Sequence, residues 1–220
     1  MNRTFAIGDI HGCSKTFKKL LLDKIKIDQS DAIYCVGDYI DRGPDSKGVI
    51  DFILHLRSEG YQIHTLRGNH EQMLLDSISE EFDTDIWLKN GGTDTLRSFE
   101  LQSLNELPGN YLSFFGETKY YFKIKDYIIV HAGLNFKKKD ILADKDAMLW
   151  IRDFKPLQPA LKDLTLIHGH TPKSLHYILN QSGNCLDIDG GCVYIKIKDR
   201  GKLVAFNLDE RRYTYQDYCE

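Results

Sequence analysis

Hydrophobic residues occur along this chain in short runs that each end in a small polar cluster. Apolar runs of this length, bounded by glycine and by charged residues, are typical of buried strands. The apolar parts of five such runs are residues 5–7, 32–36, 63–66, 127–130 and 164–167. We therefore predict five strands with polar residues just beyond their carboxyl ends, which is where open α/β sheets bind their ligands.

Helical spacing of apolar residues follows the first three of these strands. The predicted helices are Ser14 to Ile27, Ser46 to Ser58 and Glu71 to Ser79. Strand-loop-helix units in tandem predict a parallel sheet with right-handed crossovers. From Glu80 to about Gly116 the residues become acidic and mixed, and we interpret this stretch as an insertion of helices, one of them near Thr93 to Phe99.

The second half of the chain predicts mainly further strands. Tyr120 to Lys125 and Tyr127 to Val130 are expected to pair across a turn at Lys125 and Asp126. Strand-like runs follow at residues 176–179, 185–188, 193–198 and 202–207. We predict that these last runs form an antiparallel meander, a second sheet packed on the first. Because no linker or internal repeat is evident, residues 1–220 are expected to form one domain.

The charge and hydropathy of the chain limit its partners. Lys and Arg total 29 against 32 Asp and Glu, a net charge of −3, so there is no general basic field to attract nucleic acid. The one concentrated basic run, Lys137 to Lys139, is interpreted as a solvated loop in preference to a docking patch. No apolar run reaches the ~18 residues that a membrane span needs, and no apolar signal region is evident, so we expect a cytoplasmic protein.

The cysteines indicate a reducing compartment as well. They show neither C-x-x-C pairing nor an even framework, so we expect reduced thiols in or near the core. The five are Cys13, Cys35, Cys185, Cys192 and Cys219.

The polar clusters after the strands together supply carboxylate, imidazole and amide oxygen. One such cluster alone is more often a loop cap, since Asp and Asn bond to local backbone donors. Five clusters after five separate strands favour a shared site for two metal ions with one bridging carboxylate.

Nitrogen and oxygen donors without thiolate favour Mn, Fe or Zn over Mg alone, and we expect Mn²⁺ first. The candidate ligands are Asp9, His11, Asp38, Asn69, His131 and His170. Two such ions can hold a hydroxide for in-line phosphoryl displacement, so we expect a phosphoester hydrolase.

Three of the clusters resemble signature motifs of the phosphoprotein phosphatase family, the metal-dependent serine/threonine phosphatases. They are residues 8–12 (GDIHG), 37–43 (GDYIDRG) and 68–71 (GNHE). Later elements of the family match in order at His131-Ala132-Gly133, Leu149-Trp150-Ile151-Arg152 and Gly169-His170-Thr171. The compact length is similar to the bacterial and bacteriophage branch. The resemblance implies the calcineurin-like metallophosphoesterase fold of class α/β, with two packed mixed β-sheets flanked by helices in a four-layer α/β/β/α sandwich.

The resemblance also implies a role for each candidate ligand. Asp9 and His11 would bind the first metal ion, and Asp38 would bridge the two ions. Asn69, His131 and His170 would complete the set of ligands of the second ion.

The remaining motif residues would act on the substrate. By the same resemblance His70 is the general acid that protonates the leaving alkoxide, and Asp41 accepts its other N–H. Three arginines, Arg42, Arg67 and Arg152, would grip the phosphate oxygens. The implied substrate is a phosphoserine or phosphothreonine protein or peptide, with phosphotyrosine as an alternative, bound in a shallow exposed cleft. Separately, we expect the chain to be a monomer.

Several nearby residues are left outside the predicted site. We favour a supporting or structural role for His168, which precedes the residue matched to the family's last histidine ligand. For Asp187 and Asp189 a structural turn is favoured over a contribution to the pocket.

Two other functions stay open at this point. Dinucleoside tetraphosphate hydrolases share the metal ligands, although they tend to lack the carboxylate of Asp41 and to have Asp in place of Glu71. An inactive phosphoprotein-binding module would be expected to have lost a ligand or the acid, and none is missing. In the nuclease and cyclic-nucleotide branches of the fold, the last motif is usually Gly-His-x-His. This chain has Pro172 at the position of the final histidine, which argues against those branches.

Overall fold

The computed structural model describes residues 2–79, 83–161 and 163–220, and these contain nine strands. The first three residues of the predicted helical insertion, 80–82, lie outside the described residues. The strands are β1 Thr4–Ile7, β2 Ala32–Cys35, β3 Gln62–Thr65, β4 Tyr121–Ile124, β5 Tyr127–Val130, β6 Thr165–His168, β7 Cys185–Asp187, β8 Lys202–Asn207 and β9 Arg212–Asp217.

These strands form two mixed sheets. The first sheet has the order β3-β2-β1-β8-β9, and its β1, β2 and β3 are parallel, as the tandem strand-loop-helix units predict. The second sheet has the order β4-β5-β6-β7, with β4 and β5 antiparallel and β5, β6 and β7 parallel. All five strands predicted from the apolar runs are present.

Helices connect the strands and cover the sheets. A π-helical segment, Leu20–Ile25, continues the first helix, and another, Leu88–Gly92, joins the fourth to the fifth. The helices are α1 Ser14–Lys19, α2 Ser46–Ser58, α3 Asn69–Ile78, α4 Thr84–Trp87, α5 Thr93–Ser98, α6 Gly109–Glu117, α7 Lys145–Trp150, α8 Gln158–Leu161 and α9 Leu175–Asn180, with a short 3₁₀ turn at Leu104–Glu106. The helix predicted over 46–58 therefore has the predicted bounds.

Alternate side chains of each strand point to opposite faces, which divides the core into layers. Ala6 and Val36 of the first sheet pack against Ile129 and Ile167 of the second, so the two sheets lie face to face. This inner layer buries one face of each sheet. Together with the helices on the outer faces, it explains why the strands are apolar on both faces.

The outer faces of both sheets are covered by helices. Behind the first sheet, Ile7 lies in one cluster with Phe17 of α1 and Ile53 of α2. Behind the second, Leu166 lies in a cluster with Met148 of α7. The arrangement is the expected four-layer α/β/β/α sandwich.

The predicted antiparallel meander is wrong. Only β7 of this region joins the second sheet, where it is parallel to β6, while β8 and β9 extend the first sheet. Residues 176–179 lie in α9, because Ser174 caps that helix by accepting the Tyr177 N–H at 3.1 Å. Residues 193–198 form turns, since the Gly201 N–H donates to the Gly191 carbonyl and closes the segment into a loop. The edge strand β9 is absent from the sequence prediction.

Two further observations bear on the composition. All five cysteines are free thiols, as expected. Among the described residues, every helix is too short or too polar to span a bilayer.

Candidate active site

The polar clusters that follow the strands meet in one place. The loops after β1, β2 and β3 bring Asp9, Asp38 and Asn69 together from the first sheet, and those after β5 and β6 bring His131 and His170 from the second. Since these strands run parallel within their sheets, their carboxyl ends share an edge. All of the predicted metal ligands are buried.

A first group brings two of the predicted ligands, His11 and Asp38, together with His70, the predicted general acid. One donor atom from each lies within 4.8 Å of the others. His11 Nε2 lies 3.4 Å from Asp38 Oδ2, while His11 Nδ1 donates to the carbonyl of Ile40 at 2.9 Å. The proton is thus held on Nδ1, and the Nε2 lone pair faces the group. Burial lowers the pKa of His11 well below its ordinary value, which keeps the imidazole in its neutral, metal-binding form.

A second group is formed by Asp38, Asn69, His131 and His170. Asp38 Oδ1 lies 3.5 Å from His131 Nε2, and Asn69 Oδ1 lies 3.0 Å from the same nitrogen. His170 faces Asn69 Oδ1 through Nδ1 at 2.9 Å. His131 Nδ1 donates to the Val36 carbonyl at 3.1 Å, so its Nε2 lone pair points into the group. Four potential donor atoms therefore converge.

Asp38 belongs to both groups and divides its two oxygens between them. Oδ2 faces the first group and Oδ1 faces the second, which is the geometry that a bridging carboxylate needs. Burial alone would raise the pKa of Asp38, but the surrounding histidines outweigh burial and hold its pKa well below the ordinary value. The carboxylate is therefore ionised and able to bind cations on both sides.

Asp9 offers a further sign that cations fit here. Its Oδ2 accepts the backbone N–H of His170 at 2.9 Å, but its Oδ1 is buried without a hydrogen-bond partner among the described residues. Burial, followed by the charges of Asp189 and Asp38, raises the pKa of Asp9 well above its ordinary value. A bound cation would satisfy this oxygen and offset the repulsion among the carboxylates. Together with Asp9, the nitrogen and oxygen donors of the predicted ligands in the two groups thus fit two divalent ions.

The site loops adopt an unusual backbone conformation. Five predicted site residues have φ in the left-handed region, where a side chain costs roughly 1–2 kcal/mol. They are His11 (47°), Asp38 (51°), Asp41 (71°), Arg42 (70°) and His170 (72°). Strain of this kind persists only where the surroundings fix the backbone.

Glu71 is one residue that fixes this backbone. Its buried carboxylate accepts the N–H groups of Asp38 and Tyr39 at 2.8 Å each and of Gly68 at 2.9 Å. It therefore ties the loop after β2 to the start of α3. The contacts of Glu71 are structural, so its identity carries little information about the substrate.

His70 and Asp41 form a buried pair beside Asp38. His70 Nδ1 lies 2.6 Å from Asp41 Oδ2, and His70 Nε2 lies 3.9 Å from Asp38 Oδ2. Burial lowers the pKa of His70, but the two carboxylates outweigh burial and raise its pKa above the ordinary value. The contact with Asp41 fixes the orientation of the imidazole, with Nε2 directed at Asp38, which is the geometry that a general acid requires.

Two residues of the helical insertion, which the sequence analysis does not include in the site, hold Asp41. Trp87 Nε1–H donates to Asp41 Oδ2 at 3.0 Å, and Thr95 Oγ1–H donates to Asp41 Oδ1 at 2.6 Å. Gly92 makes room for the indole, since a Cβ there would stand 2.5 Å from the Trp87 ring. No local spacing in this stretch links Trp87 or Thr95 to Asp41, because the contacts span 46 and 54 residues.

The three predicted phosphate-binding arginines differ in position. Arg42 Nη1 lies 2.8 Å from His11 Nε2, and its guanidinium packs over the ring of Tyr194. Arg152 is exposed and donates to Thr171 Oγ1 at 3.4 Å, next to His170. Both lie beside the metal groups, where a phosphate would be bound.

Arg67 does not join the other two arginines. Its guanidinium donates to the Thr118 hydroxyl at 3.0 Å, to Gln72 Oε1 at 3.0 Å and to the Gly116 carbonyl at 3.1 Å. These contacts anchor the end of α6 to the loop before α3. In this structure the Arg67 donors are used there, and its predicted phosphate contact stays a prediction.

Three other residues considered in the sequence analysis lie near the site. Burial lowers the pKa of His168 to about 4, and its Nδ1 faces the Gly169 carbonyl rather than either metal group. Asp187 Oδ1 accepts the Asp189 N–H at 3.0 Å, and Asp189 Oδ1 accepts the Gly191 N–H at 2.8 Å. These bonds agree with the structural turn favoured for the two aspartates.

Comparison with known proteins places this geometry in a family. The sequence model of calcineurin-like phosphoesterases matches residues 3–206. The chain belongs to the calcineurin-like phosphoesterase family. Members of this family are phosphoester hydrolases with a two-metal centre, and the His and Asp groups around Asp38 fit such a centre.

Relatives within the calcineurin-like phosphoesterases are named either as a serine/threonine-protein phosphatase or as bis(5'-nucleosyl)-tetraphosphatases, symmetrical or asymmetrical. Serine/threonine-protein phosphatase 1 of Salmonella typhimurium is 44% identical over 88 residues, which cover 40% of this chain and 38% of the relative. A symmetrical bis(5'-nucleosyl)-tetraphosphatase of Nitrosospira multiformis is 31% identical over 133 residues, covering 59% of this chain and 43% of the relative. The chain thus matches less than half the length of either protein. Further symmetrical tetraphosphatases match over 71 to 73 residues each.

Solved structures share the fold over the whole chain. A structure described as a putative diadenosine tetraphosphatase has a TM-score of 0.64 and 20% identity, covering 100% of this chain and 95% of its own. At this identity the likeness concerns the fold alone. It agrees with the two-sheet sandwich described above.

Proposed function

We propose that this calcineurin-like phosphoesterase is a metal-dependent serine/threonine protein phosphatase that hydrolyses phosphomonoesters. The observation that carries the proposal is the buried His70–Asp41 pair, with Nδ1 and Oδ2 2.6 Å apart and Asp41 held by Trp87 and Thr95. This arrangement fixes the ring orientation of His70 and favours its protonated form.

A fixed proton donor matters most when the leaving group is poor. A serine alkoxide is strongly basic, so the departing oxygen needs a proton in the transition state. A phosphate that leaves from a phosphoanhydride is a much weaker base and departs with little help. The elaborate support of His70 therefore favours an alkyl phosphomonoester over a dinucleoside polyphosphate.

The other residues would position the phosphate. When bound, two divalent ions supply Lewis acidity that lowers the pKa of water and offsets charge on the phosphate oxygens. Asp9, His11, Asp38, Asn69, His131 and His170 would hold them, and their nitrogen and oxygen donors suit Mn, Fe or Zn. Arg42 and Arg152 would bind the phosphate oxygens, since guanidinium groups can contact them in pairs. Arg67 is left out of this proposal.

A symmetrical dinucleoside tetraphosphate hydrolase is the second candidate. The greater number of relatives with that name favours it. The Glu71 carboxylate does not discriminate between the two, because it is used by backbone N–H groups. The choice therefore depends on Asp41, whose carboxylate contacts the proposed acid directly.

The test is to measure kcat/KM, with added Mn²⁺, for a phosphoserine peptide and for diadenosine tetraphosphate in parallel. We expect the peptide to be preferred, and we expect Asp41→Asn to reduce kcat on the peptide far more than on the dinucleotide. Metal content of both proteins, measured by mass spectrometry, serves as the control. A preference of the wild-type protein for the dinucleotide would assign the site to the second candidate.

A further inference from the structure

A surface groove of about 690 Å³ lies beside Arg152. It forms where residues 151–157, which have no regular secondary structure, run past the turn that follows β5. We call it the basic groove and define it by Phe136, Lys137, Arg152, Phe154, Lys155 and Leu157. None of these residues except Arg152 has a role in the proposed hydrolysis.

The basic groove is built on the same backbone as the metal centre. Gly133, two residues after His131, packs so closely on Phe154 that a Cβ would stand 2.3 Å from the ring. The Phe154 ring also lies edge-on to His168, with centroids 5.3 Å apart. Arg152 stands at the end of the groove next to the site. A chain whose phosphate is bound by Arg152 would therefore enter the groove with its neighbouring residues.

The basic groove carries more positive than negative charge. Lys137, Arg152 and Lys155 are exposed, and Asp153 is the one acidic residue in its lining. Across the part of the chain that the structure describes, no carboxylate lies within 4.0 Å of these three head groups. This contrasts with the net charge of −3 of the whole chain, so the local positive charge is concentrated where a substrate would extend.

The basic groove also exposes apolar surface. Leu157 is 50% exposed, and the Phe136 and Phe154 rings lie against each other with centroids 6.1 Å apart. Trp150, 42% exposed and close to the His170 ring, continues this surface towards the site. Adjacent lysines and apolar side chains match a ligand that carries carboxylates and a hydrophobic side chain close together.

We propose that the basic groove binds the part of a phosphoprotein substrate that flanks the phosphorylated residue, and that it selects acidic residues next to an apolar one. This inference rests on the proposed function and names its substrate class. It also changes the interpretation of Lys137, which the sequence alone assigns to a solvated loop. Charge complementarity is the reason for choosing this occupant, since a polypeptide supplies carboxylates and an apolar side chain at neighbouring positions.

Binding can be measured separately from turnover with two fluorescent peptides that carry a non-hydrolysable phosphonate analogue of phosphoserine. One peptide has aspartates and a leucine in its flanks, and the other has asparagines in place of the aspartates. We expect the Mn²⁺-loaded full chain to bind the acidic peptide about tenfold more tightly, and Lys137→Glu/Lys155→Glu to remove that preference. The preference should also weaken with added salt, because the lysines are exposed.

A matched control reverses two lysines elsewhere on the surface. Lys19→Glu/Lys24→Glu makes the same change of net charge on α1 and the π-helical segment that follows it, and we expect it to keep the preference. Equal binding of the two peptides by the wild-type protein, or an unchanged preference in Lys137→Glu/Lys155→Glu, would overturn the inference. If Lys137→Glu/Lys155→Glu bound diadenosine tetraphosphate more weakly but bound both peptides as before, the inference would also be overturned. The groove would then be assigned to a nucleotide.

Turnover of the corresponding phosphoserine peptides distinguishes the two proposals. If the acidic peptide is bound with the expected preference and its phosphoserine form is hydrolysed, the result supports both the groove and the proposed function. If it is bound with that preference but its phosphoserine form is not hydrolysed, the groove stands and the proposed function fails.

Discussion

At the scale of single residues, the proposed proton transfer depends on how Asp41 is held. Its two oxygens contact His70, Trp87 and Thr95, and its own N–H donates to Thr95 Oγ1 at 2.9 Å. A carboxylate so completely bonded has one orientation, and it imposes one orientation on the His70 ring. The proposed acid therefore acts through a network in which two members come from the helical insertion.

Replacing Trp87 by Phe removes one hydrogen bond from this network and keeps the aromatic packing. A bond to a charged acceptor contributes about 1.5–3 kcal/mol, so we expect kcat on a phosphoserine peptide to fall about tenfold or more. KM and metal content should change little, because the indole contacts neither the metal groups nor the phosphate site. Steady-state kinetics with metal analysis would check this. An unchanged kcat would show that Thr95 alone suffices to hold Asp41.

At the scale of elements, the sequence predicts what local patterns encode. Apolar runs followed by polar clusters identify the strands, and the carboxyl-end rule brings their clusters together. The contacts of Trp87 and Thr95 with Asp41 span 46 and 54 residues, and no local periodicity encodes a contact of that length. The position of Arg67, two residues before Asn69, likewise does not reveal which way its side chain points.

The wrong strand prediction at 176–179 has a similar cause. Its residues suit a strand or a helix equally over so short a run, and the Ser174 cap decides for the helix. Four of the six residues of β9 are charged or polar, and the strand lies at an edge of the first sheet, so it gives a weak apolar signal. Tertiary context, rather than local propensity, determines both elements.

Gly92 tests the link between the insertion and the site. A Cβ at this position would stand 2.5 Å from the buried Trp87 ring, and overpacking of this kind costs about 1–3 kcal/mol. We expect Gly92→Ala to lower both the melting temperature and kcat. Gly116→Ala is the matched control, because its Cβ would meet nothing within 4 Å in α6 and should be neutral or stabilising. Equal effects of the two substitutions would contradict the packing argument.

At the scale of the whole molecule, the metal centre joins the two sheets. Asp38 and Asn69 come from loops of the first sheet, whereas His131 and His170 come from loops of the second. Ions could bind between these residues only in the folded state, because only there are the two sheets packed together. Metal binding should therefore stabilise the entire fold rather than one loop.

Thermal unfolding with and without Mn²⁺ measures this coupling. At a hundredfold excess of Mn²⁺ over its Kd, binding contributes about 2.7 kcal/mol, which corresponds to a rise in melting temperature of about 5–10 °C. In Asp38→Asn, which lacks the bridging charge, most of this rise and the hydrolytic activity should be lost together. Retention of both metal ions by this variant would exclude a bridging role for Asp38.

The most direct test of the account is the dependence of kcat/KM on the basicity of the leaving group, compared between the wild-type protein and His70→Asn. Positioned general acids contribute about 10²–10⁴-fold, and most where the leaving oxygen is basic. We predict a loss of that size for phosphoserine peptides, a much smaller loss for p-nitrophenyl phosphate, and unchanged metal content. Equal losses for both substrates would contradict the assignment of His70 as the proton donor and, with it, the substrate class proposed here.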